Sequence, residues 1–430
     1  MGPRCLVCLL LLLAPSLLQA GAWQCRRIPF SSTRNFSVPY TLPSLDAGSP
    51  VQNIAVFPDP PTVFVAVRNR ILVVDPELRL RSVLVTGPTG SAPCEICRLC
   101  PAAVDAPGPE DVDNVLLLLD PVEPWLYSCG AARRGLCYLH QLDVRGSEVT
   151  IASTRCLYSA AANSPVNCPD CVASPLGSTA TVVADRYTAS FYLGSTVNSS
   201  VAARYSPRSV SVRRLKGTRD GFADPFHSLT VLPRYQDVYP IHYVHSFTDG
   251  DHVYLVTVQP EFPGSSTFHT RLVRLSAHEP ELRRYREIVL DCRYESKRRR
   301  RRRGAEEETE RDVAYNVLQA AHAARPGARL ARDLGIDGTE TVLFGAFAES
   351  HPESRAPQHN SAVCAFPLRL LNQAIREGMD KCCGTGTQTL KRGLAFFQPQ
   401  QYCPHSVSQR GPRGRGWGRV ALGRCGTQVR

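Results

Sequence analysis

Seven consecutive basic residues, one lysine and six arginines, occupy positions 297–303 and form the most distinctive chemical feature of the sequence. Glycine follows at position 304, and three glutamates occupy positions 306–308. A block of like charges repels itself and stays solvated, so we expect a surface loop. Subtilisin-like convertases of the secretory pathway cut after such runs, because their acidic pockets pair with extended basic side chains. The candidate cleavage residues are Arg300, Arg301, Arg302, Arg303 and Gly304.

The N-terminus has the order of a secretory signal peptide: a basic residue, an apolar run over 5–18, and small residues over 20–22. We assign residues 1–22 to that signal and expect the rest of the chain in the secretory pathway, extracellular or at the cell surface. A membrane anchor is the alternative, but the run is shorter than the roughly 20 residues that span a bilayer. The signal excludes nuclear localisation as the role of the basic run and leaves heparan sulfate binding open.

Fifteen cysteines follow the signal peptide, and an oxidising compartment makes disulfides their default state. Two groups have the spacing of metal ligands or redox pairs, namely Cys94-x2-Cys97-x2-Cys100 and Cys168-x2-Cys171. In a secreted chain with so many other cysteines, structural disulfides are the favoured interpretation. We therefore expect neither a metal nor a cofactor.

No enzymatic motif accompanies these residues. The glycines at 384 and 386 lack the lysine of a phosphate-binding loop, and neither a Gly-x-Ser-x-Gly elbow nor a kinase signature is present. His242, His245 and His252 lie in strand-like runs without a carboxylate and nucleophile pattern, so we expect structural roles. The sequence favours a binding protein over an enzyme, and a secreted hydrolase or metalloprotein is the alternative from another class.

The net charge of +12 is concentrated in two short segments. The basic run contributes +7 and six arginines after residue 404 contribute +6, so the rest of the chain sums to 12 − 13 = −1. No basic face extends across the fold, and nucleic acid is excluded as a partner. Asn35 and Asn198 begin Asn-x-Ser sequons and are the candidate glycosylation sites.

Short runs of β-branched and apolar residues, interrupted by turn residues, position these features. Many such runs with almost no amphipathic helix predict an all-β fold, and the chain length favours a β-propeller over a single sandwich. One surface helix is expected from Pro367 to Gly378. The expected strands are 51–57, 62–67, 70–74, 115–119, 180–185, 190–193, 209–214, 242–247, 252–259, 271–275, 287–292, 341–348 and 361–366.

Several of these segments resemble the Sema domain, namely residues 64–74, 168–177, 247–255 and 361–366. Three further segments indicate one family among the proteins with Sema domains. They are residues 23–25, residues 206–215 and the basic run ending at Arg303. They are similar to the family of receptor tyrosine kinases that contains the receptors for macrophage-stimulating protein and hepatocyte growth factor. The resemblance covers residues 23–403 and implies a seven-bladed propeller with the cleavage loop at 297–304. A plexin or semaphorin-type recognition module is the alternative within the fold.

The resemblance also implies partners and disulfides. The expected ligand is a secreted growth factor like macrophage-stimulating protein, and the expected processing enzyme is a convertase. One disulfide is expected within Cys94, Cys97 and Cys100, with the third thiol bonded to Cys156. The other expected pairs are Cys129 with Cys137, Cys168 with Cys171, Cys292 with Cys364, and Cys382 with Cys403.

The resemblance ends near Pro404, and the arginine- and glycine-rich residues 404–430 are expected to be unstructured. On this basis the propeller is expected to be incomplete at its C-terminus, with Cys25 and Cys383 lacking their family partners. Membrane attachment and the kinase domain of the family would then belong to segments outside this sequence.

Overall fold

The computed structural model describes residues 42–100, 108–132, 135–159, 163, 168–184, 189–205, 208–215, 221–223, 227–278, 282, 285–294, 312–384, 397 and 428–429. The chain divides into two compact units, 1–42 with 294–313 and 43–293 with 314–430. Only residues 42, 294, 312 and 313 of the first unit are described. The second unit contains the five sheets considered below.

The first sheet is built from β-branched residues separated by tight turns, as is typical of an antiparallel meander. Its strands are β1 (Asn53–Pro58), β2 (Pro61–Val67), β3 (Arg70–Val74) and β4 (Leu80–Val85), in that order. Asn69 lies in the turn between β2 and β3 with φ 63°, a left-handed conformation that asparagine tolerates. Its side-chain Oδ1 accepts a hydrogen bond from the Val112 N–H at 2.7 Å, which attaches the turn to the next connection.

The second and third sheets repeat this antiparallel pattern in sequence order. The second contains β5 (Leu116–Leu119), β6 (Trp125–Cys129), β7 (Cys137–Arg145) and β8 (Glu148–Cys156). The third contains β9 (Ser178–Ala184), β10 (Ala189–Ser195), β11 (Val210–Arg214) and β12 (His227–Leu229). Helix α1 (Glu95–Leu99) precedes the second sheet, and α2 (Ser199–Tyr205) lies between β10 and β11.

The fourth sheet contains β13 (His242–Asp249), β14 (His252–Pro260), β15 (Phe268–Ser276) and β16 (Arg286–Leu290), preceded by the 3-10 helix Pro233–Tyr235. A two-stranded sheet, β17 (Arg293–Tyr294) with β18 (Val313–Ala314), follows. The fifth sheet contains β19 (Val317–Ala324), β20 (Val342–Ser350) and β21 (Pro357–Pro367). Helix α3 (Ala328–Leu334) connects β19 to β20, and α4 (Leu368–Gly384) follows β21. Strand β22 (Gln428–Val429) pairs in parallel with β16.

The five sheets are arranged as successive blades of a propeller. The first strand of each sheet contacts the first strand of the next, in the series β1, β5, β9, β13 and β19. Each blade therefore presents its first strand to a common axis, as radially repeated sheets do. This confirms the prediction of an all-β propeller. The described residues form five blades, so the expected number of seven stays a prediction.

The apolar core consists of layers shared by neighbouring blades. Phe64 and Ile71 of blade 1 pack with Leu117 and Leu126 of blade 2 in one buried cluster. A second cluster joins Tyr127 and Leu139 of blade 2 to Phe191 and Leu193 of blade 3, and a third joins Tyr192 and Val212 of blade 3 to Val253 and Val273 of blade 4. Each blade thus buries its apolar faces against its neighbours.

A buried polar network crosses blade 4. Arg271 on β15 forms an ion pair with Glu287 on β16, and their side chains are only 4% and 9% exposed. Gln259 on β14 donates a hydrogen bond from Nε2 to Glu287 Oε2 at 3.1 Å, and the Tyr239 hydroxyl donates to Gln259 Oε1 at 3.0 Å. Arg271 Nη2 also donates to the Glu261 carbonyl at 3.3 Å, whereas the buried Nε of Arg271 has no hydrogen-bond partner among the described residues, so the burial of this ion pair is only partly compensated. The network therefore fixes the alignment of three adjacent strands.

Helix α4 differs from its prediction at both ends. Pro367 is the last residue of β21, and the helix passes through Gly378 to end at Gly384. A glycine inside a helix costs roughly 1 kcal/mol relative to alanine. Leu368, Leu371 and Ile375 are buried on one face, and burial of each such side chain contributes about 1.5–3 kcal/mol. These three side chains precede Gly378 and stabilise the first turns of the helix.

Burial of three histidines predicts that stability falls as the solution is acidified. Burial lowers the pKa of His140 to about 3 and the pKa values of His242 and His245 to about 4, from an ordinary 6.5. Between pH 6.5 and pH 4 the unfolded chain therefore binds protons that the folded chain does not, and unfolding is favoured. We expect the urea midpoint to decrease steadily from about pH 7 to about pH 5. Replacing His242 and His245 together by glutamine should reduce this slope, and an unchanged slope would contradict the assignment.

Candidate processing and recognition face

The topology places all blade-to-blade connections on one side of the propeller. In an antiparallel four-stranded blade, the turn between the second and third strands lies on the same side as the connections that enter and leave the blade. We call this side the crossover face. It carries the connections 86–115, 157–177 and 230–241 and the segments that flank the basic run. Hydrogen bonds between Asn69 and residues 111–112 join such a turn to a connection.

The chain leaves blade 4 towards the basic run through Cys292, which lies two residues after β16. Cys292 is 2% exposed and forms a disulfide with Cys364 of β21. The Cα–Cα distance of 6.1 Å is within the range of ordinary disulfides. The Tyr315 N–H donates to the Cys292 carbonyl at 2.8 Å, so the chain returns from the run directly beside its point of departure. The predicted cleavage residues, Arg300 to Arg303 and Gly304, lie outside the described residues.

Asn316 attaches the returning chain to blade 4. Its side-chain Nδ2 donates to the Phe268 carbonyl and to Ser350 Oγ, both at 2.9 Å. Its side-chain Oδ1 accepts from the Ser350 N–H at 3.0 Å, and its backbone carbonyl accepts from Thr270 Oγ1 at 2.9 Å. These bonds connect β15 of blade 4 with the end of β20 of blade 5. Cys292 before the basic run and Asn316 after it are therefore both fixed on the propeller.

Five disulfides join segments within the described part of the chain. They are Cys94–Cys97, Cys100–Cys156, Cys129–Cys137, Cys168–Cys171 and Cys292–Cys364. These are the pairs that the resemblance implied, and within the first cluster the structure selects Cys94 with Cys97. Cys382 lies in α4 without a described side chain and Cys403 lies outside the described residues, so that expected pair stays a prediction.

Asn198, one of the two sequon asparagines, lies immediately before α2. Its side-chain Oδ1 accepts hydrogen bonds from the Val201 N–H at 2.9 Å and from Ser200 Oγ at 3.0 Å. This is the arrangement of a helix N-cap, which asparagine favours because its side chain replaces a missing backbone acceptor. Asn35, the other sequon asparagine, lies outside the described residues.

The histidines singled out from the sequence lie on β13 and β14 of blade 4. His245 stacks at 6.0 Å between ring centroids with Phe247, which in turn stacks on Tyr254 at 4.9 Å. Burial lowers the pKa of His252, with the positive charge of Arg274 acting in the same direction. Within the described part of the chain, no three metal-ligating side chains lie close enough to hold an ion. These rings form an aromatic ladder on blade 4.

Sequence reasoning missed three exposed apolar side chains on the crossover face, Leu176, Val238 and Phe262. They come from three separate connections, so no single motif contains them. The local signal was the turn at 261–264, where phenylalanine stands beside proline and glycine. An aromatic side chain in such a turn has no strand of its own to cover it. No helix among the described residues combines the length and apolar character of a membrane span.

The Sema domain family model matches residues 318–412, which include most of blade 5 and α4. The fold is similar to that of the full extracellular region of Plexin A4, at a TM-score of 0.57 and 22% sequence identity, over 77% of this chain. The chain spans 35% of the length of that plexin chain. Drosophila Semaphorin 2a is similar at a TM-score of 0.46 and 16% identity, over 76% of this chain and 49% of its own. The Sema domain family model therefore matches the segment that carries blade 5 and α4, and the likeness to Plexin A4 shows that the described blades have the same propeller fold.

Proposed function

We propose that this chain is the extracellular ligand-binding region of a growth-factor receptor tyrosine kinase, of the family that contains the receptors for macrophage-stimulating protein and hepatocyte growth factor. The observation that carries this proposal is the basic run in the sequence between Cys292 and Asn316, two residues that are fixed on the propeller. The run provides the side chains that a convertase pocket requires. The disulfide Cys292–Cys364 would hold the two products together.

The proposed ligand is a secreted growth factor like macrophage-stimulating protein. The Sema propeller supports binding because its connections present a large surface on a framework held by disulfides. Heparan sulfate is a candidate second partner, because the basic run is the strongest concentration of positive charge within the propeller sequence. Cleavage and heparan sulfate binding are compatible, since both use exposed basic side chains.

A plexin or semaphorin-type recognition module is the second candidate function. The fold likeness to the extracellular region of Plexin A4 favours it. The basic run favours the growth-factor receptor, because a recognition module does not need a convertase site inside its propeller. Both functions are binding functions that use the surface of the propeller.

The first test is cleavage in a secreting cell that contains convertases. We expect two bands on a reducing gel and one band on a non-reducing gel, because Cys292 lies before the run and Cys364 after it. Replacing Arg300 to Arg303 by alanine should leave a single band under both conditions. A single reduced band from the parent protein would contradict processing at this run.

The second test removes the disulfide from the cleaved protein by replacing Cys292 and Cys364 with serine. We expect two bands on a non-reducing denaturing gel but one peak in size-exclusion chromatography. Contacts across the cut should hold the pieces together, since Asn372 of α4 accepts hydrogen bonds from the Tyr254 hydroxyl at 3.0 Å and from Arg274 at 2.9 Å. Separate peaks would show that the disulfide alone joins the pieces.

The third test measures ligand binding by surface plasmon resonance. We expect the secreted chain to bind macrophage-stimulating protein more tightly than hepatocyte growth factor, and immobilised heparan sulfate to retain the uncleaved chain in a salt-dependent manner. A semaphorin and an unrelated growth factor serve as controls. Binding to the semaphorin alone would favour the recognition-module function.

A further inference from the structure

Three exposed apolar side chains on the crossover face lie in loops that hydrogen bonds join to one another. Leu176, Val238 and Phe262 are 44%, 45% and 54% exposed. We call them the apolar ridge. Exposed apolar groups that are brought together on a rigid surface mark a site that something covers. Hydrogen bonds between their loops and the side chain of Asn198 lie in the same region.

Hydrogen bonds join the loops of the ridge in series. They are Ser174 Oγ to the Thr196 carbonyl at 2.6 Å, Thr196 N–H to the Gly177 carbonyl at 3.0 Å, Ser199 N–H to Asp237 Oδ1 at 3.1 Å, and Gly264 N–H to the Val238 carbonyl at 2.8 Å. The series runs from the loop of Leu176, through the start of α2, to the loops of Val238 and Phe262. The three side chains therefore keep fixed positions relative to one another.

Asn198 lies in the middle of this series, next to Ser199. Its two hydrogen bonds as helix N-cap both use Oδ1. An N-linked glycan is attached through the side-chain nitrogen, so the sugar and the cap use different atoms of the same amide. Glycosylation at Asn198 is therefore compatible with the folded position of its side chain, and the glycan would start between the loops of the ridge.

We propose that an N-linked glycan on Asn198 covers the apolar ridge, with the C–H faces of its first sugar rings packed against Val238 and Phe262. The inference rests on the proposed secretory function, because only a secreted chain acquires this glycan. Pyranose rings present apolar C–H groups on one face and hydroxyls at the rim. They can bury an aromatic side chain while remaining soluble, which suits the Phe262 ring, more than half of which is exposed.

Two adjacent serines provide matched variants. Ser200→Ala removes the sequon hydroxyl and keeps Asn198 as the N-cap, whereas Ser199→Ala keeps the sequon intact. In Ser200→Ala we expect loss of the glycan, increased binding of an apolar dye, and self-association in size-exclusion chromatography, without a change in circular dichroism. Ser199→Ala should behave as the parent protein. Adding Phe262→Ser to Ser200→Ala should return dye binding towards the parent level.

The outcomes separate this inference from the proposed function. Peptide mapping that shows a secreted chain with unmodified Asn198 would overturn the inference and leave the receptor proposal intact. An occupied Asn198 whose loss changes neither dye binding nor self-association would also overturn it. A chain that is not secreted at all would overturn both.

Discussion

Sharing of apolar cores between neighbouring blades is the constraint on which the rest of this structure depends. Each of the three large clusters draws its residues from two sheets, so neither sheet of a pair can bury its apolar face without the other. The fit is close at the boundary of blades 3 and 4. A Cβ atom on Gly194 would lie 2.3 Å from the ring of Tyr243, so only glycine allows that approach. The blades therefore form a cooperative series.

The same geometry concentrates irregular structure on one side. Because every blade is antiparallel and enters along its first strand, long connections and second-to-third-strand turns collect on the crossover face. Long loops carry a high conformational entropy in the unfolded chain, and disulfides reduce that entropy. The Cys100–Cys156 and Cys292–Cys364 bonds, which close loops of 56 and 72 residues, act where the chain is least regular. They give a binding surface made of loops the rigidity of the sheets below it.

The net positive charge of the chain is concentrated in two short segments, and the rest of the propeller sequence is nearly balanced. Outside the basic run and the residues after 404, the chain is close to neutral. The buried charges of Arg271 and Glu287 are paired within blade 4, where they align strands and contribute no field at the surface. Exposed pairs such as Arg68 with Asp113 join a turn to a connection and contribute little stability. Recognition by the propeller body therefore depends on shape and on apolar contacts such as the ridge.

The sequence by itself determined the all-β class, the Sema resemblance and most strands of blades 1, 3, 4 and 5, because those strands carry runs of β-branched and apolar residues between turn residues; in these blades it missed β4, β12 and β19. It missed β6, β7 and β8 of blade 2. In β8 the exposed Thr150 and Ser153 and the half-buried Thr154 hide the alternation, and pairing with β7 orders the strand. It also ended α4 too early, at Gly378, whereas the observed helix continues to Gly384. Only the tertiary structure brought Leu176, Val238 and Phe262 to one surface beside Asn198, since hydrogen bonds between distant loops, rather than any local pattern, place them there.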